Sequence, residues 1–350
     1  MERPPATAIE RDQLVDTGII WKHNIKKFGG AFRASMIESF QETFNNHSRR
    51  LVESLKAECN GAPLDIQHKY LAKTTFRAVC ETTLGVISSE DLIDEKFFQA
   101  FIRITELMAV RLMNILLHSD TVYRLTSSYK EFDSCIRTVN NVVETVIFQK
   151  VCDMESKTIS NKKVQKGVYC RKSAALFLDV LLELMETDST LTEEQIKQEV
   201  TTILLAGHET TASALNFIFL MLGCNLDVQR KLHEEIQNLF GDSKRAVLKE
   251  DLNKLVYCEA VILETLRLYP PVPCVLRYVD HDLQLRTTCA FNIWGSGHSK
   301  RVWGPDALLY RPERWLDPSM TPKQASAFLS FSAGKRVCIG KRLTLNLGFM

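Results

Sequence analysis

Residues 192–222 read TEEQIKQEVTTILLAGHETTASALNFIFLML. Thr192-x-x-Gln195 forms a capping box, and the apolar recurrence behind it predicts one helix running to about Leu222. At 1.5 Å per residue such a helix is roughly 45 Å long, enough to cross a whole domain. Its middle is anomalous, because Gly207, His208, Glu209, Thr210 and Thr211 sit between apolar flanks. Glycine in a helix interior costs about 1 kcal/mol relative to alanine, and clustered threonines add to that. A locally polar turn or a bend would account for the tract. So would a close backbone approach at Gly207 that admits a flat ligand, with a Thr hydroxyl beside a carboxylate bridging water or oxygen and carrying protons inward.

Outward from this helix the chain reads as mainly α with a small β portion, a single domain over 1–350. The α-rich part spans about 21–269, with amphipathic stretches near 32–56, 70–84, 96–117 and 128–150, and a short apolar helix AALFLDVLLELM. The lysine-rich residues 150–172 read as a solvated connection. A second long helix is expected from about Lys249 to Tyr269, where Pro270-Pro271 stops it. The second part, about 270–350, is expected to be turns, short strands and irregular backbone until about Gly340 and helical after it.

Composition excludes several classes. In 350 residues, 44 Lys and Arg against 42 Asp and Glu leave a net charge of +2, without the global field of a nucleic-acid binder. Ten cysteines, none spaced C-x-x-C, exclude a disulfide-stapled secreted domain, a zinc ribbon and a thioredoxin motif. The N-terminal MERPPATAIERDQ lacks a signal-peptide core, and no window approaches about 18 uninterrupted apolar residues, so the chain as written is expected not to span a membrane.

Three further places carry chemistry. Glu264-x-x-Arg267 puts a carboxylate and a guanidinium on one face of an apolar helix; an ordinary exposed ion pair accounts for it, whereas a buried pair needs additional partners, for which Arg314 in the run Tyr310-Arg-Pro-Glu-Arg-Trp315 is the candidate. The stretch Phe331-Ser-Ala-Gly-Lys-Arg-Val-Cys338-Ile-Gly340 brackets a cysteine with glycines in a loop that enters a helix. It reads as a thiolate held by backbone N–H groups near a helix N-terminus, with Gly allowing turns and close approach. Without a second cysteine or histidine at ligand spacing, a single axial thiolate on the iron of a macrocycle fits better than a tetrahedral site. Arg277, His298 and Arg336 read individually as ordinary surface charges and together are placed in sequence to meet anionic groups such as cofactor carboxylates, and Lys335, Lys341 and Arg342 add positive charge around Cys338, favouring an acidic partner.

Taken in order, A-G-H-E-T-T, E-T-L-R, P-E-R-W and F-S-A-G-K-R-V-C-I-G resemble the cytochrome P450 superfamily of heme-thiolate monooxygenases. The resemblance covers about 21–350, and the wording CETTLG and FLDVLLEL is closest to microsomal family 4-like animal and insect members. It implies Cys338 as the axial ligand of a heme (iron protoporphyrin IX), Glu209 and Thr210 as the oxygen-activation and proton-delivery pair, and Glu264, Arg267 and Arg314 as a structural triad. It also implies heme contacts at Gly207, Phe331 and Gly340, and propionate contacts at Arg336, Arg277 and Trp21. By the same resemblance the substrate is a small apolar molecule (fatty-acid-like, hormone or pheromone, or xenobiotic), O2 is the co-substrate, and an NADPH-cytochrome P450 reductase delivers electrons. The location implied is the endoplasmic reticulum membrane, and no nucleic acid is involved.

Departures from the family pattern set further expectations. The anchor helix and first sheet strands of the family are not within this sequence, and it stops at Met350, before the rest of the proximal helix and the C-terminal pocket loop. Ile25 stands where a basic residue is common, with Lys26 beside it, and Arg286-Thr-Thr-Cys-Ala-Phe lacks the expected Gly and Ile-Pro-x-Gly turn. Ala206 stands where many omega-hydroxylases carry a heme-linking Glu, so the heme is expected to be non-covalent. A heme-thiolate isomerase or dehydratase, which the Glu209-Thr210 pair argues against, and a catalytically inactive fragment are the alternative readings.

Overall fold

The computed structural model describes residues 18–59, 61, 63–86, 93–161, 176–188, 191–279 and 287–349. Its elements begin with α1 (Gly18–Phe28), α2 (Ala34–Ser39), α3 (Gln41–Ala57), α4 (Ala72–Leu84), α5 (Glu95–Met113), α6 (Asp120–Arg124), α7 (Ser127–Asn161), α8 (Phe177–Thr187) and α9 (Glu193–Cys224). They continue with α10 (Leu226–Phe240), α11 (Lys249–Leu252), α12 (Val256–Leu268), β1 (Cys274–Val279), β2 (Thr287–Asn292), α13 (Ile293–Gly297), α14 (Lys300–Trp303), α15 (Pro322–Ala327) and α16 (Lys341–Gly348). The architecture is mainly α, and among the described residues β1 and β2 form a two-stranded antiparallel sheet pairing Cys274 with Asn292 through Val279 with Thr287.

The capping box of α9 forms in both directions: the Thr192 N–H donates to Gln195 Oε1 at 3.0 Å and the Gln195 N–H to Thr192 Oγ1 at 3.2 Å. Three expectations change. The connection expected from residue 150 is helical to Asn161, because α7 continues; the rest of it, 162–175, lies outside the described residues. The helix expected over 249–269 is two helices, because the Glu235 carboxylate accepts the Tyr257 and Cys258 N–H groups at 2.7 and 2.9 Å and so gives α12 an N-terminus of its own. The polar helix α10, which supplies that carboxylate, had no place in the sequence reading. By length and composition α9 is the one described helix capable of crossing a membrane; its Ile196, Val200 and Leu204 are core residues of this fold.

The chain divides into two compact units, Met1–Thr43 with Phe76–His208 and Phe44–Thr75 with Glu209–Met350. In the first, α7 buries Val139, Val143, Val146 and Ile147 at helical spacing. Phe76 of α4 is its aromatic hub, with the rings of Phe97, Phe98 and Phe101 at 5.4, 5.3 and 5.3 Å. The His208 ring joins this cluster edge-on, 5.4 Å from Phe76 and 5.9 Å from Phe101. Burial pushes its pKa down to about 4, so the ring is neutral at pH 7, and its Nδ1 lies 3.3 Å from the Leu204 carbonyl. Lys150 of α7 bridges Asp179 of α8 at 3.0 Å. Gly85, at φ +75°, ends α4 where a Cβ would stand 2.2 Å from Leu176 Cδ1, so both conformation and space require glycine.

The second unit is built on α12, which is buried along most of its length. Val261, Ile262 and Leu266 pack against Ala214, Ile218 and Leu222 of α9 and against Val228, with Phe328, Phe331 and Leu345 partly buried on the same cluster. On another side of α12 the Glu264 and Arg267 side chains are fully buried. Arg267 Nε and Nη2 donate to the two Glu264 carboxylate oxygens at 2.8 Å each, and Nη1 donates to the Gly297 and Ala307 carbonyls at 2.5 and 2.7 Å. Glu264 also accepts from the Arg311 N–H at 3.0 Å, Arg314 Nε at 3.3 Å and the Trp315 indole at 3.0 Å. The expected triad is therefore present, with partners beyond those expected. A Cβ at Gly297 would lie 2.0 Å from the Arg267 carbonyl, so this glycine is required for close approach.

Two predictions follow from these cores. Below pH about 6.5 an unfolded histidine takes up a proton that native His208 refuses until about pH 4. The unfolding free energy should fall by on the order of 2 to 3 kcal/mol between pH 7 and pH 4.5, and His208→Leu should remove that part of the slope in denaturant titrations. Arg267→Ala leaves a buried carboxylate short of its main partner and should lower stability by about 3 to 5 kcal/mol in the same assay; a variant as stable as the parent would show the triad to be dispensable.

Candidate functional site

The loop that carries Cys338 is assembled from α12 outward. Trp303 lies under the Arg267 guanidinium at 5.1 Å, and a chain of ring contacts leads from it through Trp315 at 5.8 Å and Phe328 at 5.0 Å to Phe331 at 6.3 Å. Beside Phe331, Ser330 Oγ donates to the Leu266 carbonyl at 2.7 Å, fastening the start of the loop to α12. The Cys338 N–H donates to the Phe331 carbonyl at 2.8 Å, closing residues 331–338 into a ring. Within that ring Ser332 and Gly334 adopt φ of 60° and 69°, a left-handed backbone that glycine takes without strain. At the loop's exit Lys341 begins α16, its ammonium 5.7 Å from the Phe331 ring centroid.

The thiol itself is solvent-accessible, yet the surrounding protein desolvates it enough to raise its pKa, while the Gly340 and Lys341 N–H groups and the Lys341 charge pull the other way. A solvent-accessible sulfur with backbone N–H donors to it offers one anionic ligand to a metal. That donor set fits a heme iron, which Cys338 would ligate as a thiolate. Within the protein a Cβ at Gly340 would meet Cys338 Sγ at an ordinary 3.8 Å. Glycine is demanded at Gly334, by its φ.

The polar tract of α9 separates by face. His208 and Thr211 are buried, whereas Ala206, Gly207, Glu209 and Thr210 are half-buried. A Cβ on Gly207 would lie 3.2 and 3.3 Å from the Val79 methyls of α4, so the bare face of this glycine meets a neighbouring helix and helix packing explains the residue. The close approach at this bare face of Gly207 is made by Val79.

The remaining sites are placed as follows. Arg336 is half-buried in the short turn Gly334–Arg336. Arg277 is opposite Cys289 in the sheet, and its side chain lies outside the described residues, as does the 280–286 segment where the missing turn was expected. Trp21 is half-buried on α1. His298 stacks on Trp294 at 4.0 Å with Nδ1 2.8 Å from the Trp294 carbonyl, so its ring is engaged with its own turn of helix. Lys335, Lys341 and Arg342 are exposed around the cysteine. Sequence reasoning missed Ser330, Trp303, the Trp315 indole and the Gly297 carbonyl; the glycine and tryptophan of WGSGHSKRVW were the available signal.

Comparison with known proteins agrees with this construction. The family model described as Cytochrome P450 matches residues 6–346. Over 340 residues the chain is 27% identical to Cytochrome P450 4c21 of Blattella germanica and 29% identical to Cytochrome P450 4V2 of Pongo abelii, with 95% of this chain and 67% and 65% of those proteins covered. Cytochrome P450 4g15 of Drosophila melanogaster is 26% identical over 402 residues, covering 95% of this chain and 69% of that protein. The chain spans about two thirds of the length of the curated relatives it matches. Heme is the cofactor of the matched family, and the loop that presents Cys338 fits it. From its α-rich fold to the bracketed cysteine, this chain belongs to the cytochrome P450 family, with similarity to family 4 members.

Proposed function

We propose that the protein is a heme-thiolate monooxygenase that inserts one oxygen atom from O2 into an apolar organic substrate. The single observation that carries the reading is the accessible Cys338 thiol, backed by the Gly340 and Lys341 N–H groups in a closed loop. When bound, heme contributes the oxidation, in which one oxygen atom enters the substrate and the other leaves as water while two electrons and two protons are consumed. Cys338 supplies the anionic ligand, and the N–H groups that face its sulfur stabilise that anion. The Glu264 network keeps the loop in place when the thiol is ligated.

Glu209 and Thr210 are assigned the proton route. A carboxylate beside a hydroxyl on a half-buried helix face can hold a proton and pass it on without admitting bulk water. Arg336 and Arg277 would hold the cofactor's propionates through charge-assisted hydrogen bonds. Ala206 offers no carboxylate for a covalent link, in keeping with a non-covalent heme.

The exposed cations Lys335, Lys341 and Arg342 suit an acidic electron donor, for which an NADPH-cytochrome P450 reductase is proposed. Candidate substrates are fatty-acid-like molecules, hormones or pheromones, and xenobiotics. Placement at the endoplasmic reticulum membrane is supported by an aliphatic knob formed by the last turn of α5 and the turns that follow it. Leu112, Met113, Ile115, Leu116 and Leu125 are 60%, 85%, 79%, 72% and 83% exposed there, while Arg111, tied to Leu117 O and to Asp120, forms its polar interior.

The expected outcomes are specific. The reduced protein reconstituted with heme should give the thiolate-type carbon monoxide difference spectrum, and Cys338→Ala should abolish it; a variant that kept it would remove Cys338 from the iron. With reductase and NADPH, Thr210→Ala should keep that spectrum and release several times more peroxide per NADPH consumed. Unchanged coupling would dismiss Thr210 from the proton route.

A further inference from the structure

The residues immediately before Glu209 are held by α4 at two consecutive positions. Val79, itself buried, presses its methyls onto the bare backbone of Gly207, 3.2 and 3.3 Å from where a Cβ would be. One helical turn earlier on α4, Phe76 meets the His208 ring edge-on at 5.4 Å. These contacts fix both translation and rotation of α9 at this point, because a glycine admits the neighbour to contact distance and a flat ring locks the azimuth. The low pKa of His208 follows from the same burial and keeps a positive charge away from Glu209. At about 100° per residue, Glu209 and Thr210 emerge roughly 150° and 110° from the midline between Gly207 and His208. Their direction is therefore set by the residues that precede them.

We infer that Val79 and Phe76 are positioning residues for the Glu209-Thr210 pair, acting through the Val79–Gly207 contact and the Phe76–His208 ring contact. The inference rests on the proton-route reading of that pair. Nothing in the local polarity of AGHETT calls for it, since the partner side chains come from a helix more than a hundred residues earlier in the chain.

The contact is reciprocal in volume, which supplies the test. Val79→Ala removes two methyls, and Gly207→Ala adds one into the same space, so each single change should disturb the grip and the double should largely restore it. In the heme-reconstituted protein with reductase and NADPH, each single variant is expected to raise peroxide released per NADPH at least threefold, with the thiolate-type carbon monoxide spectrum unchanged. The Val79→Ala/Gly207→Ala double is expected to return to within about twofold of the parent. Singles that keep the parent's coupling, or a double whose loss equals the sum of the singles, would overturn the inference.

A second readout needs no cofactor. In the isotope-labelled chain, the backbone amide shifts of Glu209 and Thr210 should move in both singles and return in the double, and amides that stay put in both singles would also overturn it. Should the amides respond while peroxide release does not, the grip exists but the positioning role fails. Should the parent chain itself lack the thiolate spectrum, the monooxygenase reading fails, and the amide shifts still decide whether α4 orients these residues.

Discussion

The second unit depends on one carboxylate. Glu264 is fully buried, and an uncompensated buried charge costs several kcal/mol. It is compensated by a bidentate Arg267, by Arg314, by the Arg311 N–H and by the Trp315 indole. Because these donors come from α12 and from residues 311–315, satisfying the charge dictates the path of the chain between them. Arg267 extends the constraint by taking the Gly297 and Ala307 carbonyls, so the short helices and turns between them acquire a fixed course.

The cysteine loop inherits its position from that arrangement. Trp303 and Trp315, fixed by the arginine and the carboxylate, begin the ring contacts that reach Phe331, and Ser330 adds a polar tie to α12. The loop then needs only its own closure, Cys338 N–H to Phe331 O, to hold the sulfur with N–H donors behind it. Burial and these donors oppose each other in setting the thiol's acidity. The resulting thiol is disfavoured as a free anion in the protein alone and suited to becoming one against a cation.

What could be read from the sequence was what depends on neighbours in sequence. The Thr192 and Gln195 box, the Glu264 and Arg267 pair and the Pro270-Pro271 stop are local, and each forms as its spacing suggests. The bracketed cysteine was legible because glycines and a lone thiol before a helix combine turn chemistry with ligand chemistry. The failures have non-local causes. A polar helix and a polar loop share a composition, which hid the end of α7. The break before α12 is made by a carboxylate from α10, and the reason for Gly207 lies on α4. The triad's outer partners, from Gly297 to Trp315, lie 30 to 51 positions from the pair they satisfy, beyond any periodicity.

The proposed activity requires a bond between the Cys338 sulfur and the metal of a bound heme. Resonance Raman spectroscopy of the heme-reconstituted chain, grown with natural or with 34S-labelled cysteine, tests that bond directly. An iron–sulfur stretching band that moves to lower frequency with the heavier isotope is the predicted result. A spectrum of bound heme with no isotope-sensitive band, typical of nitrogen or oxygen ligation, would contradict it.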